Sequence, residues 1–194
     1  GAIWTDSRMR TSREDTYAVG DAAETTDLVT GKRVWNPLAP AANKMGFVAG
    51  TNIAGGHAEF PGVVRTSVTS AFGVVVASTG LSEREAAKHG FKPVSAKVDA
   101  RTKAAYIPGG KKITLKVVAD EDSGRLLGAQ AVGDETAFWR VNVVATLLYK
   151  QGTVWDLFYN DVGYMPLVAP VWDALVVAAR LLMRKLGTRP KDRG

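Results

Sequence analysis

The sequence has no cysteine and only two histidines, His57 and His89. Without cysteine the chain can form no disulfide and no thiolate zinc site, and it supplies no cysteine nucleophile. Neither histidine has an evident acid–base partner in the sequence, which argues against a histidine-based catalytic or metal centre. We therefore predict that these 194 residues hold no metal ion.

Long apolar runs are also missing. The most apolar stretch, residues 162–182, is interrupted by Pro166, Pro170, Asp173 and Arg180. A membrane span needs about 20 mostly apolar residues. The N-terminus has no basic region followed by an apolar run, which a secretory signal would require. These absences predict a cytoplasmic protein with no membrane partner.

The formal charge of +6 is unevenly distributed along the chain. Residues 178–194 contain six basic side chains against one carboxylate, Asp192, so the part before them is nearly neutral. A nucleic-acid-binding protein usually carries a basic face within its folded part, and we therefore predict no nucleic-acid partner. We interpret residues 187–194 as a basic tail behind a helix end, where the helix dipole favours cations.

Apolar residues make up 46% of the chain and charged residues 23%, which is ordinary for a globular protein. The alternation of Ile113, Leu115 and Val117 with polar residues indicates a strand, and the turn after it predicts an antiparallel hairpin. Apolar stripes predict two long helices, at residues 135–151 and 171–186. Strands are predicted at residues 64–70, 72–78, 93–98, 112–119 and 125–132.

A short helix is predicted between these strands. Ser82 and Glu85 have the spacing of a capping box, and Gly90 ends the helix. Together the elements predict an α+β fold for residues 62–186. The expected architecture is an antiparallel sheet of about four or five strands with helices packed on one face.

Residues 1–61 have a different pattern. Short β-prone runs at residues 1–5 and 16–19 are followed by a loop and by an alanine-rich helix over about 41–54. One or two short strands cannot bury their faces alone. We therefore predict that residues 1–61 are the C-terminal fragment of a larger α/β domain, together with the linker that follows it.

The most informative motif lies in this first part. An apolar run ends at Gly20 and Asp21, where the glycine lets a ligand approach the backbone and the carboxylate can bind sugar or polyol hydroxyls. Leu38, Ala39 and Pro40 then open a helix, whose free N–H groups favour an anion or a carbonyl oxygen. A strand end of this kind is often only a turn, but the two elements in this order are more specific.

The two motifs resemble the pyridine nucleotide–disulfide oxidoreductases. Residues 11–21 are similar to that family's second flavin-binding signature, Thr-x-x-x-x-hydrophobic-Tyr-Ala-x-Gly-Asp, and residues 62–186 resemble its dimerisation domain. The nearest branch is that of the coenzyme A disulfide reductases and related NADH oxidases. Its motifs are matched at residues 79–86, 108–114, 124–130 and 164–173.

The resemblance implies roles for named residues. Gly20 and Asp21 would lie at the ribityl chain of FAD, and Leu38 and Ala39 would lie at the pyrimidine edge of the flavin. Tyr164 stands where this branch places a tyrosine that reaches the partner subunit's active site. Tyr106 is implied at the same site, although Ile107 replaces the second tyrosine of the branch's Tyr-Tyr-Pro-Gly stretch.

The sequence contains no Gly-x-Gly-x-x-Gly motif and no redox cysteine, and we expect both to lie upstream. The first hypothesis is therefore the dimerisation domain of a flavin-dependent NAD(P)H oxidoreductase, with a disulfide-type or related small molecule as acceptor. The intact enzyme would be a homodimer that uses FAD and NAD(P)H, whereas the fragment alone would bind no cofactor and have no turnover. The stripes of the two long helices are candidates for both the dimer interface and the core.

Two alternatives remain open at this point. The chain could be a stand-alone α+β module whose basic tail binds an acidic or nucleic-acid partner, which deletion of residues 187–194 would test. It could also be a complete small enzyme with a site near Asp21, Tyr106 and Tyr164, but that site lacks a nucleophile–base pair. The electron acceptor and the choice between NADH and NADPH are not determined by the sequence.

Overall fold

The computed structural model describes residues 1–187 and divides the chain into two compact units, Gly1–Arg65 and the part from Thr66 onward. Of the predicted basic tail, only Gly187 is among the described residues. The tail cations Arg189, Lys191 and Arg193 lie outside them.

The first unit is built around one helix. A 3-10 turn, Gly20–Ala22, precedes an antiparallel pair of short strands, β1 (Glu24–Thr26) and β2 (Arg33–Trp35). Helix α1 (Ala39–Ile53) follows, with Pro40 in its first turn, where no N–H is needed. One face of α1 packs into a core of Met9, Ala18, Ala23, Ala41, Met45, Val48, Ala49 and Phe60.

The predicted helix of this unit is confirmed, whereas the predicted strands at residues 1–5 and 16–19 are wrong. The structure has only isolated bridges there, between Ile3 and Ala23 and between Arg10 and Tyr17. The backbone between the two runs turns through left-handed conformations at Met9 and Asp15, with φ of 67° and 54°, and each run forms a bridge at a single residue. The β1–β2 pair, which the sequence suggested was a loop, has three residues in each strand, too few for a clear alternation.

The second unit contains a five-stranded sheet in which all neighbouring strands are antiparallel. The strand order is β3-β4-β7-β6-β5. The strands are β3 (Ser67–Ala71), β4 (Val74–Gly80), β5 (Pro93–Arg101), β6 (Lys112–Asp120) and β7 (Leu126–Gly133). This arrangement confirms the predicted α+β fold with its antiparallel sheet.

Two long helices cover one face of this sheet. Helix α3 (Thr136–Tyr149) contacts β4 and β7, and helix α5 (Ala174–Leu186) contacts β5 and β6. The strand residues beneath them are buried and, apart from Thr79, apolar, whereas the alternate residues on the other face are mostly polar. The buried face comprises Ala77, Thr79, Ala96, Val98, Leu115, Val117, Ala129 and Ala131.

The two shorter helices are both capped. Helix α2 (Glu83–Lys88) has the predicted capping box between Ser82 and Glu85. Helix α4 (Val154–Tyr159) has a second capping box between Thr153 and Asp156, and it was not predicted because six residues are too few for a clear stripe.

The stripes of the long helices are core. Val141 on α3 and Leu175, Ala178 and Leu182 on α5 are fully buried within the second unit. Phe138 at the start of α3 has 41% of its surface exposed, and Ala145 and Leu186 are half-buried. From the sequence, these stripes were candidates for both the dimer interface and the core. The structure places most of their residues in the core.

Candidate functional site

The residues with predicted roles fall into two groups, one in each unit. Gly20, Asp21, Leu38 and Ala39 belong to the first unit, and Tyr106 and Tyr164 belong to the second.

Gly20 lies against the first turn of α1. Its φ is +65°, and a Cβ added to it would lie 3.2 Å from the Cβ of Ala42. The position is therefore suited to glycine for two reasons, a left-handed backbone and a close helix neighbour. This contact fixes the 3-10 turn, and with it Asp21, beside the beginning of α1.

Asp21 is exposed and lines an open pocket of about 440 Å³. The Nε1–H of Trp35 donates a hydrogen bond to the Asp21 carbonyl at 2.8 Å, so the indole holds the backbone while the carboxylate remains available. Glu24 also lines the pocket. A pocket with carboxylates beside an indole suits a polyhydroxylated ligand, because carboxylates accept hydrogen bonds from hydroxyl groups.

Leu38 and Ala39 form the beginning of α1. The Leu38 carbonyl accepts hydrogen bonds from the N–H groups of Ala41 and Ala42, at 3.0 and 3.1 Å. Pro40 has no N–H, and the N–H of Ala39 has no acceptor among residues 1–187. A free N–H at the positive end of a 15-residue helix can donate to an electron-rich ring edge. The residues of the first unit therefore fit the flavin contacts that the resemblance implies.

Tyr106 and Tyr164 come together in the second unit. Tyr106 lies in the loop between β5 and β6, and Tyr164 lies between α4 and α5. The Ala104 N–H donates to the Pro166 carbonyl at 3.1 Å and joins the two segments. Desolvation raises the pKa of Tyr164 above its usual value of 10.0, and the hydrogen bond and charge of Tyr106 raise it further. Two neutral phenols side by side can donate hydrogen bonds to an anionic sulfur or oxygen.

The segment that carries Tyr164 is unusually apolar for an exposed one. We call residues 159–172 the apolar segment, which is held in shape by a bridge between Met165 and Ala169. Seven of its large apolar side chains are between 47% and 73% exposed. They are Tyr159, Tyr164, Met165, Leu167, Val168, Val171 and Trp172. Exposed apolar side chains concentrated in one segment are typical of an interaction site.

A buried ion pair fixes the end of the apolar segment. Asp173, directly after it, accepts hydrogen bonds from Nε and Nη2 of Arg140 at 3.0 and 2.5 Å. Nη1 of Arg140 donates to the carbonyl and the hydroxyl of Thr136. Asp173 also caps α5 by accepting from the Leu175 N–H. The pair therefore joins α3 to the beginning of α5, where the apolar segment ends.

Sequence reasoning missed this pair. Arg140 lies in α3 and Asp173 is 33 residues further along, so no short-range spacing connects them. The sequence did contain one indication of the pair: each of the two predicted apolar helices has a charged residue, Arg140 in the first and Asp173 in the second. Among residues 1–187 no three or more His, Asp or Glu side chains are grouped in a way that could hold a metal ion. In the same part of the chain no helix is both long and apolar enough to cross a membrane.

The fold and the exposed apolar segment define the class of protein. Residues 67–175 match the family model described as "Pyridine nucleotide-disulphide oxidoreductase, dimerisation domain". The matched range includes all five strands of the sheet, helices α2 to α4 and the apolar segment. The chain belongs to this family, as the resemblance in its motifs predicted.

Two curated relatives of the chain are oxidoreductases that act with NADH or NAD(P)H. The chain is 52% identical over 182 residues to an NAD(P)H sulfur oxidoreductase (CoA-dependent) of Pyrococcus furiosus. The aligned region covers 94% of this chain and 41% of the relative. It is 34% identical to an NADH oxidase of Methanocaldococcus jannaschii over 97% of the chain and 42% of that relative. The chain thus spans about two fifths of the curated relatives that it matches.

Solved structures give the same result. An NAD-dependent persulfide reductase from A. fulgidus superposes with a TM-score of 0.91 at 39% identity. That match covers 95% of this chain and 35% of the reductase. The reduced CoADR-RHD of Bacillus anthracis also gives a TM-score of 0.91, at 30% identity over 96% of this chain and 34% of that one.

Proposed function

We propose that the chain forms a homodimer as the dimerisation part of a flavin-dependent NAD(P)H oxidoreductase. The observation that carries this proposal is the apolar segment, which exposes seven large apolar side chains, including Tyr164, the partner of Tyr106. An isologous interface would bury this surface and place the tyrosine pair of one subunit against the other. Obligate interfaces of this kind bury roughly 2,000–5,000 Å² and are apolar.

The first unit would contribute to the flavin site. Asp21 would accept hydrogen bonds from the ribityl hydroxyls, and Gly20 would keep the backbone close to the ligand. The Ala39 N–H, next to Leu38, would donate to the pyrimidine edge, where the helix dipole stabilises negative charge. The flavin would supply the redox chemistry when bound.

The acceptor that we propose is a coenzyme A-linked disulfide, persulfide or polysulfide. Two of the relatives support this choice, since they are described as a CoA-dependent sulfur oxidoreductase and a coenzyme A polysulfide/persulfide reductase. The neutral phenols of Tyr106 and Tyr164 suit such a substrate, because they can donate hydrogen bonds to a leaving thiolate. Oxygen is the alternative acceptor, as in an NADH oxidase. Its reduction releases no thiolate, so it would not require the two phenol donors. A cytoplasmic location stays a prediction.

Light scattering after size-exclusion chromatography tests the dimer. We expect a species of about twice 20.7 kDa for the natural chain. Leu167→Glu and Val171→Glu place a charge on exposed positions of the apolar segment and should raise the dimer dissociation constant at least tenfold, since the charge would be buried. Their melting temperatures as monomers should stay unchanged, because neither side chain is part of the core.

The matched control is Phe72→Ser, which removes a fully exposed aromatic residue from the β3–β4 turn. This variant should dimerise like the natural chain. A monomer at micromolar concentration, or a dimer that Leu167→Glu and Val171→Glu leave intact, would contradict the proposal. Flavin absorbance recorded in the same run shows whether the first unit retains the cofactor on its own.

A further inference from the structure

The apolar segment is a loop whose two ends meet. Its first residue, Tyr159, and its last, Trp172, both stack on Phe158, the penultimate residue of α4. The ring centroids of Phe158 and Tyr159 are 5.0 Å apart in an edge-to-face arrangement, and those of Phe158 and Trp172 are 6.5 Å apart. Both separations are within the range of favourable aromatic contacts. A loop of this length with adjacent ends is typical of the compact Ω-loops that often carry function.

A cation stacks on this junction. Cζ of Arg180, in the second turn of α5, lies 5.5 Å from the centroid of the Trp172 ring. A guanidinium within about 6 Å of an indole is attracted by the electron-rich face of the ring. Trp172 also precedes Asp173, which the buried ion pair with Arg140 fixes in place. We call Phe158, Trp172 and Arg180 the neck of the apolar segment.

Few other contacts hold the segment against the fold. Among residues 1–187, one backbone hydrogen bond joins residues 160–171 to another part of the chain, from the Ala104 N–H to the Pro166 carbonyl. The other backbone hydrogen bonds of this range are internal, such as the one from the Ala169 N–H to the Met165 carbonyl at 2.8 Å. The internal turn therefore sets the shape of the segment, whereas its position depends on the neck and on the β5–β6 loop.

The position of Tyr164 depends on both of these attachments. Tyr164 lies between the two ends of the segment and two residues before Pro166. Its partner Tyr106 lies on the separate loop between β5 and β6. Two phenols on different loops stay in contact only when both loops are held, because ordering a free loop costs conformational entropy. The neck supplies this constraint at the ends of the segment, and the hydrogen bond to Pro166 supplies it in the middle.

The neck is not part of the hydrophobic core. Trp172 has 53% of its surface exposed, Arg180 is exposed and Phe158 is half-buried. The core beneath α5 is formed by other side chains, such as Leu175 and Leu182, which are fully buried. A half-exposed side chain removes less apolar surface from water than a buried one, so it contributes less to the stability of the fold. The main effect of the neck is therefore on the shape of the segment.

We propose that Phe158, Trp172 and Arg180 are positioning residues, which close the apolar segment and thereby hold Tyr164 against Tyr106. This inference rests on the proposed function, which gives the two phenols their role as hydrogen-bond donors to the acceptor. Donors that are held in place before the reaction stabilise developing negative charge better than mobile ones. The neck itself touches no substrate and acts only through the tyrosine pair.

NMR spectroscopy of the 194-residue chain, labelled with ¹³C at the tyrosine Cζ atoms, tests the proposal. The Tyr164 resonance is assigned by its loss in Tyr164→Phe. The pKa of Tyr164 is raised above its usual value of 10.0 in the natural chain, and Trp172→Ala should lower it towards 10.0. The reason is that an open segment exposes the phenol to water and separates it from Tyr106. Arg180→Gln should lower the pKa by a smaller amount.

Two conservative variants separate positioning from a general loss of structure. Trp172→Phe keeps an aromatic ring against Phe158, and Arg180→Lys keeps a cation over the indole. Both should retain the raised pKa of Tyr164. Circular dichroism should show that all four variants remain folded, since the neck lies outside the core. Arg180→Gln, which alters an exposed side chain, decides the question if Trp172→Ala does not fold.

The matched control is Trp4→Ala in the first unit. Cζ of Arg33 lies 5.9 Å from the centroid of the Trp4 ring, and 51% of Trp4 is exposed, so this variant removes a stacked pair of the same kind. It should leave the pKa of Tyr164 unchanged. An unchanged pKa in folded Trp172→Ala and Arg180→Gln, or an equal fall in the control, would overturn the proposal.

A double variant shows whether the neck acts through Tyr106. Tyr106→Phe removes the hydrogen bond between the phenols, so Trp172→Ala should lower the pKa of Tyr164 by less in that background than in the natural chain. Equal falls in the two backgrounds would refute an action through the tyrosine pair.

These outcomes are separable from those of the proposed function. In the Leu167→Glu background, which removes the proposed dimer, Trp172→Ala should still lower the pKa of Tyr164, because every contact of the neck lies within one chain. Loss of the effect there would show that the partner subunit holds Tyr164, which refutes the neck and leaves the dimer standing. A monomeric natural chain in which Trp172→Ala lowers the pKa refutes the dimer and leaves the neck standing.

Discussion

Arg140 and Asp173 show how much one residue pair decides in the second unit. Arg140 is fully buried, and 2% of the Asp173 side chain is exposed, so each charge depends on the other. The guanidinium also stacks over the Trp139 ring at 4.4 Å. A buried charge without its partner is strongly unfavourable, whereas an apolar pair of similar size can replace both.

This contrast gives a prediction for stability. Arg140→Met should lower the free energy of unfolding by about 3–5 kcal/mol, because it leaves Asp173 buried and unpaired. Arg140→Met/Asp173→Leu should recover most of this loss and remain about 1 kcal/mol below the natural chain, since α5 loses its N-cap. Urea denaturation followed by circular dichroism measures both values. A double variant as unstable as Arg140→Met would show that the site cannot accept apolar side chains.

The tyrosine pair gives a prediction for pH dependence. Desolvation raises the pKa of Tyr164, and the hydrogen bond to Tyr106 raises it further, because that bond stabilises the protonated phenol. Tyr106→Phe removes that partner, and the pKa of Tyr164 should fall towards 10.0. A titration of tyrosinate absorbance at alkaline pH follows this change. Tyr149→Phe, which alters an exposed tyrosine on α3, should leave the pKa of Tyr164 unchanged.

At the scale of elements, the periodic part of the fold could be predicted and the rest could not. The strands 93–101, 112–120 and 126–133 and the helices 136–149 and 174–186 alternate or repeat over enough residues to be recognised. Helix α4 and the β1–β2 pair are too short for this. The short runs at residues 1–5 and 16–19 have the composition of strands but no ladder to join.

The candidate site, too, could be predicted only in part. Motifs of residues that are neighbours in the sequence identified six candidate residues: Gly20, Asp21, Leu38, Ala39, Tyr106 and Tyr164. Their functional roles remain proposals. The Arg140–Asp173 pair was missed because its contact is made only in three dimensions.

Helix α5 provides a prediction at this scale. Leu175 is fully buried beneath the sheet, on the helix that contacts β5 and β6. Leu175→Asp should destabilise the second unit by more than about 4 kcal/mol and unfold it, because it removes packed atoms and buries a charge. Leu175→Met, of nearly equal volume, should cost less than about 1.5 kcal/mol. Thermal unfolding separates the two, and a folded Leu175→Asp chain would show that this stripe is not core.

At the scale of the whole molecule, the proposed dimer couples assembly to stability. The apolar segment leaves a large surface exposed in the single chain, and association would bury it. Anything that binds the native state and not the unfolded one stabilises the native state by mass action, and a second copy of the chain acts in this way. The stability of the second unit should therefore depend on protein concentration.

The melting temperature tests this coupling directly. A tenfold rise in protein concentration is worth about 1.4 kcal/mol per dimer, or about 0.7 kcal/mol per subunit. For a chain of this length a change of 1 kcal/mol shifts the melting temperature by about 2–4 °C, so the tenfold rise should raise it by about 2 °C. Leu167→Glu should abolish the dependence, because its monomer has no partner to lose on unfolding. Phe72→Ser should keep it, since that side chain lies on the β3–β4 turn. If the natural chain melts at one temperature from 1 to 100 μM while light scattering shows a dimer, the subunits separate before they unfold, and the interface contributes nothing to the stability of the fold.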